Sequence, residues 1–249
     1  MSTQGEPVEF TNAYADAQLA NAYSELQFPG TYYLAYRDLP RIIAAHVTGR
    51  RALDFGCGAG RSTRFLCQLG FDVVGMDISA DMVARAREAD PVGTYHLTAS
   101  GDFGVVAGGA FDLVLSAFTF DNVPTGAGKV ALFRGLAGVL APEGRIVNLV
   151  SSPEIYCNEW ASFSTVDFPE NRLAQSGDVV RIINTAIADR RPVEDVLWTD
   201  AAYREVYAEA GISIVGTYRP LARDGEPFPW VNETRIAPWV IYVLRKAVA

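Results

Sequence analysis

The chain has 249 residues, of which 49% are hydrophobic and 20% are charged, so it can form a packed core and does not belong to the disordered class. Its net charge of −8 argues against nucleic acid as a partner, because nucleic-acid phosphates require a basic face. The three cysteines have neither the spacing of metal ligands nor that of a disulfide framework, and no metal is expected.

The beginning of the chain shows no basic-then-apolar leader, and no apolar run is long enough to span a bilayer. We therefore expect a cytoplasmic protein with no membrane partner. Two amphipathic helices are predicted before the first strand. One covers residues 12–26 and the other covers 32–47, with a kink or a restart at Pro40.

From residue 52 onwards, short apolar segments alternate with helical ones, which predicts βαβ units and a parallel sheet. Five strands are predicted, at 52–55, 72–76, 94–98, 111–116 and 145–151. Helices are predicted between them, at 61–69, 80–88 and 128–140.

Residues 152–198 interrupt this alternation. They begin irregularly and then predict a hairpin of two strands, 179–187 and 193–198. A long excursion between sheet elements is often a lid over a binding crevice, and this segment is also where a homo-oligomer could form. A helix over 200–210 and strands over 212–219 and 239–245 complete the chain.

The turn after the first predicted strand contains three glycines at alternate positions, Gly56, Gly58 and Gly60. A strand, a glycine turn and a helix together present backbone N–H groups and a helix N-terminus to a ligand. The dinucleotide fingerprint requires its third glycine where Arg61 stands. Asp54, just before the turn, would repel a pyrophosphate and would suit a cationic group such as an amino group.

The segment Leu53-Asp-Phe-Gly-Cys-Gly-Ala-Gly60 resembles the first motif of class I S-adenosylmethionine-dependent methyltransferases. Val74-Gly-Met-Asp-Ile-Ser79 resembles the second motif of that family. Three further segments follow in the family's order, namely Asp102-Phe103, the strand at 111–116 and the turn at 140–144. The resemblance covers residues 50–151, and its motifs agree in order and in spacing.

This resemblance implies an α/β fold, a Rossmann-like doubly wound seven-stranded sheet whose last hairpin is antiparallel. We expect one methyltransferase domain over 1–249. Within it, we expect an N-terminal helical cap (1–48), a cofactor-binding core (49–151), an inserted lid after the fifth strand (152–198), and a last helix with the antiparallel strands (199–249).

S-adenosylmethionine is the implied cofactor, and S-adenosylhomocysteine is its product. In the family pattern Asp77 would bind both ribose hydroxyls, Ile78 and Met82 would flank the adenine, and Asp102 and Phe103 would meet the adenine amino group and ring. The expected cofactor-binding residues are Asp54, Gly56, Cys57, Gly58, Asp77, Ile78, Met82, Asp102, Phe103 and Ser116.

The acceptor is expected to be a small molecule. Amino methyltransferases of nucleic-acid bases carry an Asn/Asp-Pro-Pro-aromatic motif after the fourth strand, and residues 116–122 lack it. The segments 193–200 and 203–212 resemble bacterial methyltransferases of the natural-product type, which predicts a role in secondary metabolism such as antibiotic biosynthesis. The expected substrate-binding residues are Tyr14, Phe118, Phe120, Tyr156 and Trp160.

Methyl transfer from a sulfonium requires orientation more than covalent help from the protein. A hydroxyl acceptor needs a base, whereas an amine needs only to arrive unprotonated. Because no residue stands out as a base, an amine acceptor is favoured, and Tyr14 or Tyr23 is expected to orient it as the catalytic tyrosine. His46 and His96 are expected to be structural.

Other interpretations stay open at this point. Within the enzymes, the alternative is O-methylation of a phenolic or sugar-like hydroxyl. From other classes, the chain could be a nicotinamide-dependent oxidoreductase or a non-catalytic cofactor-binding subunit. The adjacent Asp121 and Asn122 could suggest a metal, but without further ligands they are expected to form a loop.

Overall fold

The computed structural model describes residues 28–247, and all structural statements below concern that part of the chain. Its α-helices are α1 (Thr31–Arg37), α2 (Leu39–His46), α3 (Arg61–Gln68), α4 (Ala80–Ala89), α5 (Gly126–Val139) and α6 (Asp200–Glu209). Within 28–247, no helix combines the length and the apolar character needed to cross a membrane.

Seven strands form the main sheet, in the spatial order β3-β2-β1-β4-β5-β10-β9. They are β1 (Arg51–Phe55), β2 (Asp72–Asp77), β3 (Thr94–Leu97), β4 (Phe111–Ala117), β5 (Leu140–Ser151), β9 (Ile212–Tyr218) and β10 (Trp239–Lys246). The first five pair in parallel, and β10 is antiparallel to both β5 and β9. The predicted doubly wound sheet with an antiparallel final hairpin is therefore confirmed.

Both faces of the sheet are covered, which explains the continuous apolar character of its central strands. Side chains alternate between the faces. Ala52 and Leu113 pack in one hydrophobic core, while Leu53 and Val114 pack in the other. The order of strands reverses between β1 and β4, and ligands of open α/β sheets bind beyond the carboxyl ends of the strands at such a point.

The N-terminal helices that the structure describes are α1 and α2. The helical conformation is interrupted between them at Asp38. Pro40 occupies the first turn of α2, where its missing N–H costs no hydrogen bond. The predicted restart near Pro40 is therefore confirmed. The helix predicted over 12–26 lies outside the described residues.

Residues 152–198 contain a small separate sheet of three antiparallel strands, β6 (Phe163–Ser164), β7 (Val179–Asn184) and β8 (Val193–Val196). The predicted hairpin is thus present, with β7 and β8 both shorter than expected. Strand β8 packs against the short 3-10 turn Thr119–Asn122 that follows β4. The insertion therefore touches the carboxyl edge of the main sheet, and its role as a lid stays a prediction.

The largest boundary error lies at the junction of α5 and β5. Helix α5 begins at Gly126 rather than at residue 128, because the Thr125 hydroxyl accepts the Gly128 N–H (3.1 Å) and caps the helix. Residues 142–144 were predicted as a turn but lie within β5, whose pairing with β4 shifts register between Phe111 and Leu113.

Candidate active site

The glycine turn has the left-handed backbone that its sequence predicts. The φ angles of Gly56, Gly58 and Gly60 are 72°, 52° and 77°. A Cβ on Gly56 would meet the Thr119 hydroxyl at 2.2 Å, so Gly56 allows the turn after β4 to pack closely. A Cβ on Gly58 would meet only the Met82 methyl, at 4.0 Å. The backbone at Gly58 is therefore open to a ligand.

Asp54 lies in β1 and is fully buried. Its Oδ2 accepts hydrogen bonds from the hydroxyls of Ser62 (2.7 Å) and Thr63 (2.6 Å), while its Oδ1 has no hydrogen-bond partner in the part of the chain that the structure describes. Burial raises the pKa of this carboxyl to about 6, and the two hydroxyls limit the rise. A buried carboxylate oxygen without a partner suits a cationic donor from a ligand.

Asp77 ends β2 beside the turn. One carboxylate oxygen accepts the Gly58 N–H (2.8 Å) and the other accepts the Ser79 N–H (2.8 Å). Burial raises the pKa of Asp77, and these N–H donors oppose the rise. Asp77 therefore fixes the glycine turn and the start of α4. Each oxygen can accept a second hydrogen bond, so a pair of hydroxyls can still bind there.

The other predicted cofactor residues differ in their exposure to solvent. Cys57 is buried within the turn. Ser116 is also buried and pairs with Phe55 of β1, and its hydroxyl has no hydrogen-bond partner among residues 28–247. Asp102 is exposed and accepts the Gly104 N–H (2.7 Å).

The ring of Phe103 stacks on that of Phe55 (5.9 Å between centroids) and lies against Gly135 of α5. Ile78 is exposed at the end of β2, and Met82 is buried. The adenine contacts of Ile78, Met82, Asp102 and Phe103 stay predictions.

Arg61 is a site residue to which the sequence analysis gave no role. It begins α3, directly after the turn, and its guanidinium lies 5.1 Å from the ring centroids of Phe28 and Tyr32 and 5.5 Å from that of Tyr36. These rings recur every four residues on one face of α1 and the residues before it. That spacing was the signal for this contact, which joins the N-terminal helices to the glycine turn.

Phe118 follows β4 and has a φ of 63°, the only positive φ outside glycine within 28–247. Its N–H donates to the Leu149 carbonyl (2.8 Å). Its ring contacts Tyr32 (5.7 Å) and Trp239 (4.8 Å). Strain of this kind costs about 1–3 kcal/mol and is common at ligand sites. Phe118 thus forms an aromatic wall at the carboxyl edge of β4.

The remaining predicted substrate residues are more deeply placed. Phe120 is fully buried and stacks on Phe133 (4.0 Å), so its ring belongs to the core beneath α5. Trp160 is buried and donates from its indole N–H to a backbone carbonyl of the insertion (2.8 Å). Both side chains therefore pack in the interior, and their contacts with an acceptor stay predictions.

Tyr156 is also buried, and its hydroxyl donates to Asp195 Oδ2 of strand β8 (3.0 Å). Tyr14 and Tyr23, the predicted catalytic tyrosines, lie outside the described residues. The His46 ring lies 2.7 Å from the Tyr218 hydroxyl, as a structural hydrogen bond would require.

A buried lysine was missed by the sequence analysis. Lys129 of α5 is fully buried, and its ammonium donates to the Phe120 carbonyl. The same nitrogen lies 4.9 Å from the ring of Trp198 and 5.5 Å from that of Tyr203. Burial lowers the pKa of Lys129 to about 7, while Asp121 and Asp195 act in the opposite direction. No sequence pattern distinguishes this residue from a surface lysine.

Two carboxylates accompany this lysine. Asp121 is buried and accepts the Ser151 N–H (3.0 Å), and burial raises its pKa to about 6. Burial and the charge of Asp121 together raise the pKa of Asp195 to about 7. Asp121 lies in the short turn after β4, where the sequence predicts a loop. It belongs to a charged cluster, defined here as Asp121, Lys129, Asp195 and Tyr156.

Residues 53–148 match a family model described as a methyltransferase domain. A ubiquinone biosynthesis O-methyltransferase of Methylococcus capsulatus is 33% identical over 103 residues, which are 39% of this chain and 44% of that protein. An uncharacterized methyltransferase of Synechocystis is 34% identical over 111 residues, 44% of this chain and 50% of that one. The chain thus matches about half the length of these curated relatives.

Solved structures extend the likeness to the whole fold. The CcbJ methyltransferase of Streptomyces caelestis superposes with a TM-score of 0.64 at 19% identity, over 96% of this chain and all of that one. An S-adenosylmethionine-dependent methyltransferase of Clostridium acetobutylicum gives 0.63 at 11% identity, over 95% of this chain and all of that one. Residues 53–148 therefore match a methyltransferase domain, and the fold of the chain is similar to that of these solved methyltransferases.

Proposed function

We propose that this protein transfers a methyl group from S-adenosylmethionine to an amine nitrogen of a small molecule. The observation that carries the cofactor part is the unpartnered, buried Oδ1 of Asp54 beside the open backbone at Gly58. A cationic amino group fits the first feature, and a close ligand approach fits the second. Asp77, with acceptor capacity left on both oxygens, supports a ribose at the other end.

The bound cofactor would supply a methyl group already attached to a good leaving group. The protein's own work is then orientation and exclusion of water, which can provide about 7–11 kcal/mol. Asp54 and Asp77 would hold the two ends of the cofactor. Phe118, backed by Tyr32 and Trp239, would exclude water from the side where the acceptor enters.

An amine acceptor is supported by the charge at this edge of the sheet. Asp121 and Asp195 bring two carboxylates to it against the single ammonium of Lys129. A hydroxyl acceptor is the second candidate, because the curated relatives include proteins named ubiquinone biosynthesis O-methyltransferases. The net charge of −8 and the missing base-methylation motif support a small metabolite over a nucleic acid.

We further propose that the acceptor belongs to natural-product biosynthesis in the cytoplasm, on the resemblance of segments 193–200 and 203–212 to enzymes of that type.

We also propose that the protein forms a homo-oligomer through the insertion, which would bring two copies of residues 152–198 together. Size-exclusion chromatography with light scattering tests this, and a strictly monomeric protein contradicts it.

A thermal-shift comparison tests the cofactor. S-adenosylhomocysteine at about 100 times its Kd should stabilise the protein by about 2.7 kcal/mol, and NADH should not. Stabilisation by NADH alone would contradict the proposal and favour an oxidoreductase. No stabilisation by either ligand would also contradict it.

A turnover experiment tests the acceptor. The protein is incubated with S-adenosylmethionine and matched pairs of small amines and alcohols that share one carbon skeleton. Release of S-adenosylhomocysteine and mass spectrometry of the products report methylation. Methylated amines are the expected products, whereas methylation confined to hydroxyls would establish the second candidate.

A further inference from the structure

The charged cluster lies beyond the carboxyl ends of β4 and β5. Asp121 comes four residues after β4 ends, and it accepts the backbone N–H of Ser151, the last residue of β5. Tyr156 follows Ser151 by one short turn. Asp195 reaches the cluster from β8 of the insertion. A small acceptor next to the cofactor of a doubly wound sheet lies over these same strand ends.

The cluster carries more negative than positive charge. Its two carboxylates, Asp121 and Asp195, face one ammonium, that of Lys129. Among residues 28–247, Lys129 forms no salt bridge within 4.0 Å; its nitrogen donates instead to the Phe120 carbonyl. Lys129 therefore offsets part of the negative charge of the two carboxylates without forming an ion pair with either of them. A cationic ligand would be attracted to the net negative charge of the cluster.

Asp195 is the carboxylate best placed to meet such a cation. Its Oδ2 accepts from Tyr156, but in the described part of the chain its Oδ1 makes no hydrogen bond. Asp121 is buried, whereas Asp195 keeps part of its surface exposed to solvent.

A second, independent feature lies beside the lysine. The hydroxyl of Tyr203 is fully buried and has no hydrogen-bond partner among the described residues. Its ring centroid lies 5.5 Å from the Lys129 nitrogen. Buried hydroxyls are nearly always hydrogen-bonded, so this one leaves hydrogen-bonding capacity at the cluster for a water or a ligand atom.

We propose that Asp195 binds the protonated amine of the acceptor and takes up one of its protons, in the methyl transfer proposed above. The ammonium gives a proton to the Asp195 carboxylate and becomes a neutral amine. The nitrogen lone pair then forms the N–CH3 bond. The CH3–S bond breaks with its electron pair, which stays on sulfur as a neutral thioether. The product leaves as a methylated ammonium ion, Asp195 releases its proton to solvent, and charge is conserved.

Tyr156 and Lys129 are positioning residues in this scheme. The Tyr156 hydroxyl holds one oxygen of Asp195 and leaves the other to accept a ligand's hydrogen bond. The cation of Lys129 keeps two neighbouring carboxylates compatible with burial. The competing interpretation is that the cluster only docks the insertion onto the core, in which case no ligand preference depends on Asp195.

The test uses the full-length protein saturated with S-adenosylhomocysteine. Two probes of the same shape are titrated by calorimetry, 2-phenylethylamine and 2-phenylethanol. The wild type should bind the amine at least about tenfold more tightly than the alcohol, which corresponds to about 1.4 kcal/mol. Asp195→Asn should remove that preference. Glu194→Gln, on the same strand but exposed and paired with Arg181, should keep it.

Binding of S-adenosylhomocysteine separates the possible failures. If the wild type does not bind it, the proposed function fails. If it binds but takes both probes equally, the role of Asp195 is refuted while the cofactor proposal stands. Unchanged amine preference in Asp195→Asn would also refute it. Asp195→Glu keeps the negative charge and should keep the preference for the amine. If both variants lose the preference, the role of the Asp195 charge is refuted.

Discussion

The hydroxyl of Thr31 donates to the Glu233 carboxylate across 2.8 Å, joining the start of α1 to the loop before β10. Glu233 is fully buried, and its two oxygens accept three further hydrogen bonds, from the N–H groups of Ala161, Val231 and Asn232. One carboxylate thus holds together the cap, the insertion and the last loop. Tyr32 of this cap and Trp239, which follows this loop, both contact the ring of Phe118.

Replacing this carboxylate should loosen all three segments at once. Glu233→Gln keeps the size of the side chain but turns an acceptor into a donor that faces backbone N–H groups. We expect a loss of about 1–3 kcal/mol in the free energy of unfolding, measured in urea. Glu205→Gln, on the exposed face of α6, is the control and should change stability by less than about 0.5 kcal/mol. Equal effects would contradict the role of Glu233.

Asp77→Asn should weaken binding of S-adenosylhomocysteine. The change removes charge and acceptor capacity at the proposed ribose site, and it also disturbs the hydrogen bonds to Gly58 and Ser79. We expect the Kd to rise at least about tenfold in calorimetry, or about 1.4 kcal/mol. Asp81→Asn, one turn away and exposed, should bind normally. An unchanged Kd in Asp77→Asn would rule out the ribose contact.

Asp54 predicts opposite pH effects on ligand binding and on stability. Its pKa in the free protein is raised to about 6, above the value of about 3.9 in an unfolded chain. As the pH falls through 6, the carboxyl becomes neutral and should lose its attraction for a cationic amino group, so affinity for S-adenosylhomocysteine should decline. The unliganded fold takes up this proton more readily than the unfolded chain, so Asp54 should add stability as the pH falls from 6 towards 4.

Asp54→Asn is the variant that isolates these effects, because Asp77 also titrates above its usual range. The asparagine variant should bind more weakly at pH 7, and its affinity should change less between pH 7 and 5. Calorimetry and urea unfolding at several pH values measure the two trends. A wild-type affinity that is flat across pH 6 would contradict the proposed contact with a cationic group.

The sheet, the glycine turn and the order of the motifs could be predicted because they depend on local signals. A few neighbouring residues are enough to predict the alternation of strands and helices. The same is true of the positive φ at Gly56. Contacts between distant segments leave no such local signal. Nothing near Lys129 in the sequence shows that it is buried, and nothing near Glu233 shows that it holds Thr31.

The sequence also cannot distinguish core residues from ligand contacts where one residue type serves equally in both places. Phe120 and Phe118 are two positions apart on the same predicted loop, and the sequence offered both as substrate contacts. The positive φ of Phe118 reverses the chain locally, which sends its ring towards Trp239 while Phe120 stacks on Phe133. A conformation that a phenylalanine rarely adopts could not be anticipated from the sequence.

Lys129→Met should destabilise the protein through the carboxylates it leaves behind. Methionine fills a similar apolar volume, but Asp121 and Asp195 would lose the only ammonium near them in the described cluster. We expect a loss of about 3 kcal/mol in urea unfolding at pH 7. Adding Asp121→Asn should recover part of that loss, and a double-mutant cycle would measure the coupling between the two residues. Lys246→Met, in β10, is the control for losing a lysine. Strictly additive effects of Lys129→Met and Asp121→Asn would mean that the two groups do not compensate each other in the folded protein.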